Sequence, residues 1–151
     1  NVFHFSFTVA NLERSVAFYR DLLGLKVVYE GGHDKPYTAT QVAFPNAYLK
    51  VAFLTLDGYP ETRSGHFLEL LEYVNPRGEP TDTATNRPGA SHIAFQVDDL
   101  VAEYTRLKAA GVRFKSEPVE IMAGRNAGGF TIYFLDPDNI TLEMVQPRKL
   151  D

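Results

Sequence analysis

An internal repeat constrains the fold of this chain more than any other feature. The segment from His4 to Gly24 resembles the segment from His92 to Gly111. In both, a His opens an alternating apolar stretch, an Asn-Leu or Asp-Leu pair follows, and a Gly ends a stretch with helical spacing. Self-similarity at a nearly constant offset is typical of duplicated structural units. The repeat therefore predicts two related modules.

Each repeat predicts a strand followed by a helix. Alternation places His4 and His92 on one face of their strands and large apolar residues on the other. Asn11 and Asp99 are suitable N-caps for the two helices, and Gly24 and Gly111 should end them. The remaining predicted strands are Lys26–Tyr29, Thr40–Phe44, Tyr48–Leu56, Phe67–Val74, a strand from Phe114 onward, Phe130–Leu135 and Thr141–Val145.

This order of elements predicts an α+β fold of two βαβββ modules. We expect residues 1–74 to form the first module, the Pro- and Gly-containing segment 75–90 to be a linker, and residues 91–151 to form the second. Each module has one apolar sheet face to bury. Two such modules would form a curved, partly open mixed sheet around a shared cleft.

Both modules also end alike, because the stretch around Glu69 matches the stretch around Glu143. Each Glu sits mid-strand between large apolar residues, where a carboxylate is costly to bury unless it is paired or coordinated. One such Glu or strand His alone is typical of a solvated face or a structural ion pair. Together with His4 and His92, however, the two carboxylates form a donor set suited to a divalent transition metal. The pattern favours one metal site held by all four.

Composition supports this interpretation by exclusion. The chain has 151 residues, no Cys, four His and a formal net charge of −4. Without Cys there are no disulfides, thiolate metal sites or thiol nucleophiles. The mild acidity argues against nucleic-acid and anionic-membrane partners. No apolar run approaches the ~18 residues of a membrane span and no signal-peptide pattern opens the chain, which favours a cytoplasmic protein.

The chain resembles the vicinal oxygen chelate superfamily, the glyoxalase/bleomycin resistance protein/dioxygenase group. The segments that carry this resemblance are His4–Leu25, Phe67–Tyr73, Ser91–Leu100 and Tyr133–Glu143. The resemblance implies paired βαβββ modules, a homodimer, and a bound divalent ion (Ni, Zn, Co, Mn or Fe). It places His4, Glu69, His92 and Glu143 on the four ligand positions of the family.

The resemblance also implies a reaction class. A His/Glu/His/Glu set is similar to that of glyoxalase I and close to that of the epimerases. In these lyases and isomerases the metal polarises a carbonyl or enediolate oxygen, and a carboxylate moves a proton on the adjacent carbon. Glu143 is the first choice of base, with Glu69 as its counterpart. We expect a small oxygenated substrate with a carbonyl or carboxyl group. Lactoylglutathione itself is not favoured, since the chain lacks Trp and a distinct glutathione-binding pattern.

Two alternatives remain open within the same fold. An extradiol ring-cleaving dioxygenase could use His4, His92 and Glu143 as a two-His, one-carboxylate iron site. Its usual pattern around Tyr133 is incomplete here, because Asn139 replaces a Gly and no His precedes the Tyr in the 124–129 loop. A non-catalytic protein that sequesters a small molecule is the other alternative.

Further residues are weaker candidates. Phe53, Tyr73 and Tyr133 could line a substrate pocket or simply pack in the core, and Arg125 could meet an anionic group. His33 lies in a turn-rich stretch that favours the surface. His66 precedes Glu69 by three residues and should face the other side of the strand, which makes it a poor ligand.

Overall fold

A computed structural model describes residues 2–55 and 67–148 of the chain. The chain divides into two compact units, Asn1–Pro80 and Thr81–Asp151. The division falls inside the segment 75–90 that the sequence predicts as a linker.

The first unit is a mixed four-stranded sheet with helices in its connections. Its described elements are β1 (His4–Thr8), α1 (Leu12–Ala17, continued by a π-helical segment Phe18–Leu22), β2 (Lys26–His33), α2 (Pro36–Val42), β3 (Tyr48–Thr55) and β4 (Phe67–Asn75). The strand order is β1-β4-β3-β2. The β1–β4 pair is parallel and the other two pairs are antiparallel.

The second unit repeats this arrangement. Its described elements are β5 (His92–Gln96), α3 (Leu100–Ala109), β6 (Arg113–Phe114), β7 (Val119–Glu120), β8 (Phe130–Leu135) and β9 (Thr141–Gln146). The strand order is β5-β9-β8-β6, and β7 also pairs with β8. Again only the pair that joins the first and last strands is parallel. The predicted fold class of two βαβββ modules with mixed sheets is confirmed.

Both helices that follow the His-bearing strands begin as predicted. The Asn11 side chain accepts a hydrogen bond from the Arg14 backbone N–H at 2.8 Å, and Asp99 accepts one from the Ala102 N–H at 2.9 Å. Each bond satisfies one of the free N–H groups of a helical first turn. Gly24 and Gly111 follow the helices with φ of 76° and 85°, a conformation that glycine adopts without strain.

The core of each unit lies on the sheet face opposite the two His. In the first unit Leu54, Leu70 and Tyr19 are fully buried, and in the second Phe134, Leu142 and Leu107 are. The strands that carry or neighbour the two His thus bury the side chains that point away from the His face. Phe5 is an exception on the first strand, since it is 56% exposed.

The strand predicted at Thr40–Phe44 is wrong, because most of this stretch belongs to helix α2. Pro36 lies in the first turn of α2, where its fixed φ suits a helix and its missing N–H has no cost. Ala43 ends the helix with a left-handed φ of 58°. Strand β2 also runs on beyond the predicted end at Tyr29. Leu56, the predicted end of β3, lies outside the described residues.

In the part of the chain that the structure describes, no helix combines the length and the apolar character needed to cross a membrane.

Candidate metal centre

Strand register brings His4 and Glu69 together in the first unit. His4 pairs with Phe67 across the parallel β1–β4 ladder, and Glu69 pairs with Ser6. Side chains two residues apart on a strand share a face, so the His and the Glu are diagonal neighbours. His4 Nε2 lies 3.3 Å from Glu69 Oε2. The imidazole is 33% exposed and the carboxylate 12%.

The same register operates in the second unit. His92 pairs with Thr141, and Glu143, two residues further along the strand, pairs with Ala94. His92 Nε2 lies 3.2 Å from Glu143 Oε2. The four side chains that the sequence predicts as metal ligands therefore occur as two pairs of equal geometry, one in each unit.

The N···O separations suit two ligands of one cation. With metal–nitrogen and metal–oxygen bonds of about 2.0–2.2 Å, ligands at angles between 90° and tetrahedral lie roughly 2.9–3.4 Å apart. A hydrogen bond between a charged imidazole and a carboxylate would have a shorter N···O distance, about 2.7–2.9 Å. Imidazole nitrogen and carboxylate oxygen are also the donors that Zn, Ni, Co, Mn and Fe accept. Each pair thus fits as half of a divalent-metal site.

The described residues hold no larger cluster of possible metal ligands than these pairs. Among residues 2–55 and 67–148, no three His, Asp or Glu side chains cluster closely enough to hold a metal ion by themselves.

Aromatic rings surround the first pair. The Phe3 and Phe53 rings lie 5.4 Å and 5.6 Å from the His4 ring, measured between centroids. Phe67 completes this cluster, with its ring 6.1 Å from that of Phe53. His4 Nδ1 is buried and, within the described residues, has no hydrogen-bond partner. Nε2 is therefore the ring nitrogen available to a ligand.

Hydroxyl groups surround the second pair. Thr131 Oγ1 donates to Glu143 Oε1 at 2.6 Å, which leaves Oε2 facing His92. The Tyr133 ring lies 5.2 Å from the His92 ring, and Lys115 Nζ lies 5.9 Å from the Tyr133 centroid. Burial raises the pKa of the Tyr133 phenol, and the nearby Glu143 carboxylate raises it further. The phenol is thus a neutral O–H donor at neutral pH.

The predicted substrate residues lie at different distances from the pairs. Phe53 and Tyr133 contact the two ligand His. Arg125 lines a groove that also contains Ala94 and Gln96, which share the His92 face of β5. Tyr73 is four residues beyond Glu69 on β4, about 13 Å along the strand, and packs edge-to-face on Phe44. The structure therefore does not bring Tyr73 to the ligand pair.

The two other histidines were not predicted as ligands. His33 lies at the end of β2 between two tyrosine hydroxyls, with Tyr29 Oη 3.5 Å from Nε2 and Tyr37 Oη 3.2 Å from Nδ1. His66 lies outside the described residues.

Sequence reasoning missed three polar side chains that support these elements. Thr131 holds Glu143, as described above. Glu72 Oε2 accepts a hydrogen bond from the Leu12 N–H, and Gln146 Oε1 accepts one from the Leu100 N–H, both at 2.8 Å. Each of the latter two lies three residues after a predicted ligand Glu and binds the N-terminus of its unit's helix. Glu72 and Gln146 occupy equivalent positions in the repeat, and this equivalence is the sequence signal that could have identified them.

Two units of equal topology, each with one His–Glu pair, define a class of duplicated βαβββ proteins. The chain belongs to the Glyoxalase/Bleomycin resistance protein/Dioxygenase superfamily, which it matches over residues 1–144.

Individual relatives agree with this family. The 2-epi-5-epi-valiolone epimerase of an Actinomyces species is 30% identical over 149 residues, covering 95% of this chain and 78% of that protein. The lactoylglutathione lyase of Haemophilus influenzae is 26% identical over 149 residues, covering 97% and 93%. A glyoxalase family protein from Bacillus cereus has a crystal structure that superposes with a TM-score of 0.80 at 18% identity, covering 99% and 93%. The sequence relatives support a lyase or epimerase of this family, and the structural neighbour shows the fold.

Proposed function

We propose that this protein is a metal-dependent lyase or isomerase of the glyoxalase and epimerase type. Its substrate is a small oxygenated compound with a carbonyl or carboxyl group. The observation that carries the proposal is the pair of His–Glu contacts with matching N···O separations of 3.3 and 3.2 Å. The family and its glyoxalase members generally use a divalent metal, and the donor set suits one.

The proposed ligands are His4, Glu69, His92 and Glu143. All four come either from one chain or from two chains of a homodimer, in which one copy contributes the first pair and its partner the second. A small-molecule substrate is the only partner we propose besides a second copy. We place the protein in the cytoplasm.

When bound, the metal supplies Lewis-acid catalysis, which makes the C–H next to a carbonyl more acidic. The rest of the chemistry belongs to the chain. Glu143, with Glu69 as its counterpart, takes the proton from that carbon and returns it to the same or the neighbouring carbon. Two carboxylates allow removal and return on different sides of the substrate, as an epimerisation requires.

Neighbouring side chains orient these groups. The Thr131 hydroxyl fixes one oxygen of Glu143, so the other stays directed toward His92. Phe53 and Tyr133, beside the two ligand imidazoles, are the proposed walls for the substrate. Arg125 is the proposed contact for a negatively charged group of the substrate, and Tyr73 is left out of the proposed site because it packs on Phe44 away from the pair.

Metal content is the direct test. The full chain is stripped with chelator, reconstituted with Ni, Zn, Co or Mn, and analysed by elemental mass spectrometry. We expect a stoichiometric divalent ion in the wild-type protein and its loss in His4→Ala, His92→Ala and Glu143→Gln. His33→Ala is the matched control, because this His belongs to neither pair, and it should retain the metal.

A wild-type protein that stays metal-free after every addition would overturn the proposal in favour of a metal-free binding protein. For the metal-loaded protein, we expect solvent deuterium to enter the carbon next to the carbonyl in a panel of 2-hydroxy ketones. Oxygen uptake with catechols after anaerobic Fe(II) loading would instead indicate the dioxygenase alternative.

A further inference from the structure

A continuous row of rings crosses the first sheet on its His-bearing face. Tyr29 pairs with Phe53 across β2 and β3, and Phe53 pairs with Glu69 across β3 and β4. Directly paired residues point to the same face, so these side chains are neighbours. The Phe53 ring lies 5.6 Å from the His4 ring and 6.0 Å from the Tyr29 ring. The row therefore leads from the ligand pair toward the far edge of the sheet.

The row ends in a hydrogen-bonded cluster of Tyr29, His33 and Tyr37. The Tyr29 ring lies 6.3 Å from the His33 ring, and both tyrosine hydroxyls contact the imidazole nitrogens. Tyr29 is 45% exposed and Tyr37 is 59% exposed, so a ligand can reach the cluster.

Gly31 makes this arrangement possible. It lies between Tyr29 and His33 on the same strand face, and a Cβ built at this position would overlap the Tyr29 hydroxyl. The tyrosine side chain therefore lies along its own strand, over the glycine and toward His33. The backbone of Gly31 has no left-handed φ, so the missing side chain serves the close approach of the ring and not a turn.

The cluster always has one proton to donate outward. A neutral imidazole carries one N–H, and the two phenols carry one O–H each. The two internal contacts use two of these three donors in either tautomer. One phenol O–H remains for a ligand, next to oxygen lone pairs that can accept. Such a group recognises a hydroxyl or a carbonyl.

The ligand end that fits this cluster is uncharged. The row consists of aromatic rings, and the charged residues that follow His33, Asp34 and Lys35, pair with each other at 3.5 Å. Tyr29 lies two strands from Glu69, roughly 10 Å at the usual strand spacing. A molecule that reaches both must be of at least that length.

We infer that Tyr29, His33 and Tyr37 form a second, polar subsite, which binds the distal hydroxyl or carbonyl of a flat, uncharged, ring-containing substrate. Phe53 and Tyr29 stack on the rings of this substrate. Its other end carries two oxygens on adjacent carbons, which lie beside His4 and Glu69. This inference rests on the proposed function only for the position of that oxygen pair.

Two flavonols provide a matched pair of probes. Kaempferol and galangin share a flat ring system with an adjacent hydroxyl and ketone, and kaempferol has one additional hydroxyl at its distal ring. Dissociation constants are measured by absorbance titration with zinc-loaded and with chelator-stripped protein. One added hydrogen bond of about 1 kcal/mol corresponds to a preference of roughly fivefold for kaempferol.

The variants separate a subsite from a structural contact. The double variant Tyr29→Phe/Tyr37→Phe removes both phenol hydroxyls and keeps both rings, so it should reduce the kaempferol preference to about one while galangin affinity stays the same. Gly31→Ala displaces the Tyr29 ring, on which the body of the ligand stacks, and should lower the affinity for both flavonols. Gly78→Ala is the control, since a Cβ there meets no atom and its φ is ordinary. If the preference survives in the double variant, or if that variant only lowers the melting temperature, the cluster is a structural tie between β2 and α2.

A wild-type protein without any preference, or one that binds neither flavonol, also overturns the inference. Failure of the proposed function looks different, because it shows as absent zinc. The preference measured with the stripped protein still tests the subsite in that case.

Discussion

The two halves of the chain place a His and a Glu at nearly the same separation, 3.3 and 3.2 Å, but surround them with opposite chemistry. On the strand beside the ligand Glu, Phe53 and Tyr133 occupy equivalent positions, each paired with its Glu. Two residues earlier, buried Val51 in the first half corresponds to Thr131 in the second. The first half is apolar at both positions, and the second carries a hydroxyl at both.

This difference shows which features of the sheet determine the separation between the His and the Glu. The separation of nitrogen and oxygen follows from strand register, which both halves share, and does not depend on the neighbouring side chains. What the neighbours change is how firmly the carboxylate is held. Glu143 is fixed by a hydroxyl at one oxygen, whereas the described partner of Glu69 is His4 alone. The second half thus holds its carboxylate, and the first leaves it freer to turn.

Thr131→Val is expected to have the largest effect, a loss of zinc affinity. It gives the second half the residue that the first half has at this position. The two side chains have nearly the same shape, so the change removes a hydroxyl with little change in packing. Loss of a hydrogen bond to a metal ligand typically weakens metal affinity by about 10-fold or more. Competition titration of zinc against a fluorescent chelator measures it.

The reciprocal variant is Val51→Thr, which offers Glu69 the hydroxyl it lacks. We expect it to leave zinc affinity unchanged or to increase it, and to restore part of the loss when combined with Thr131→Val. Equal zinc affinity in the wild type and in Thr131→Val would show that the hydroxyl does not hold the ligand.

An intermediate effect is expected at the helix N-termini, where the halves again differ in charge. Glu72 and Gln146 each accept one backbone N–H, but only Glu72 is an acid, and it is 5% exposed. A carboxylate also interacts favourably with the positive end of a helix. We expect Glu72→Ala to lower the free energy of unfolding by about 2 kcal/mol and Gln146→Ala by about 1 kcal/mol. Urea denaturation measures both.

The conservative variant Glu72→Gln distinguishes the two contributions. It keeps an acceptor for Leu12 and removes the charge, so it should cost about half as much as the alanine variant. If it costs as much as Glu72→Ala, the stabilisation comes from the charge, which faces the helix N-terminus and lies 3.5 Å from Arg77, and not from the hydrogen bond.

The sequence predicts whatever follows from local pattern. The repeat and the two N-caps, Asn11 and Asp99, depend on short-range spacing, and the structure confirms them. The pairing of each His with its Glu needs, in addition to strand alternation, the parallel register of the first and last strands of each unit. The helix Pro36–Val42 is not predicted because its Tyr, Thr and Val residues are types that also favour a strand.

Thr131 and the Tyr29–His33–Tyr37 cluster could not be predicted in the same way. The Thr131 hydroxyl reaches Glu143, twelve positions further along the sequence, only through the register of β8 against β9. The tyrosine cluster depends on a glycine that lets one ring lie along its strand. Both are side-chain arrangements that a strand pattern leaves undetermined.

The smallest effect is expected for exchange of the two aromatic residues. Tyr133→Phe removes a neutral phenol beside His92, and Phe53→Tyr adds one beside His4. A phenol is already protonated at neutral pH, and the raised pKa of Tyr133 extends this to higher pH, so the group acts on a ligand as a hydrogen-bond donor. Its loss should weaken galangin binding about threefold, the effect of one modest hydrogen bond, and leave zinc affinity unchanged. Absorbance titration of both variants measures this. If Tyr133→Phe reduces zinc affinity as much as Thr131→Val does, the phenol supports the metal ligands and is not a wall of the substrate site.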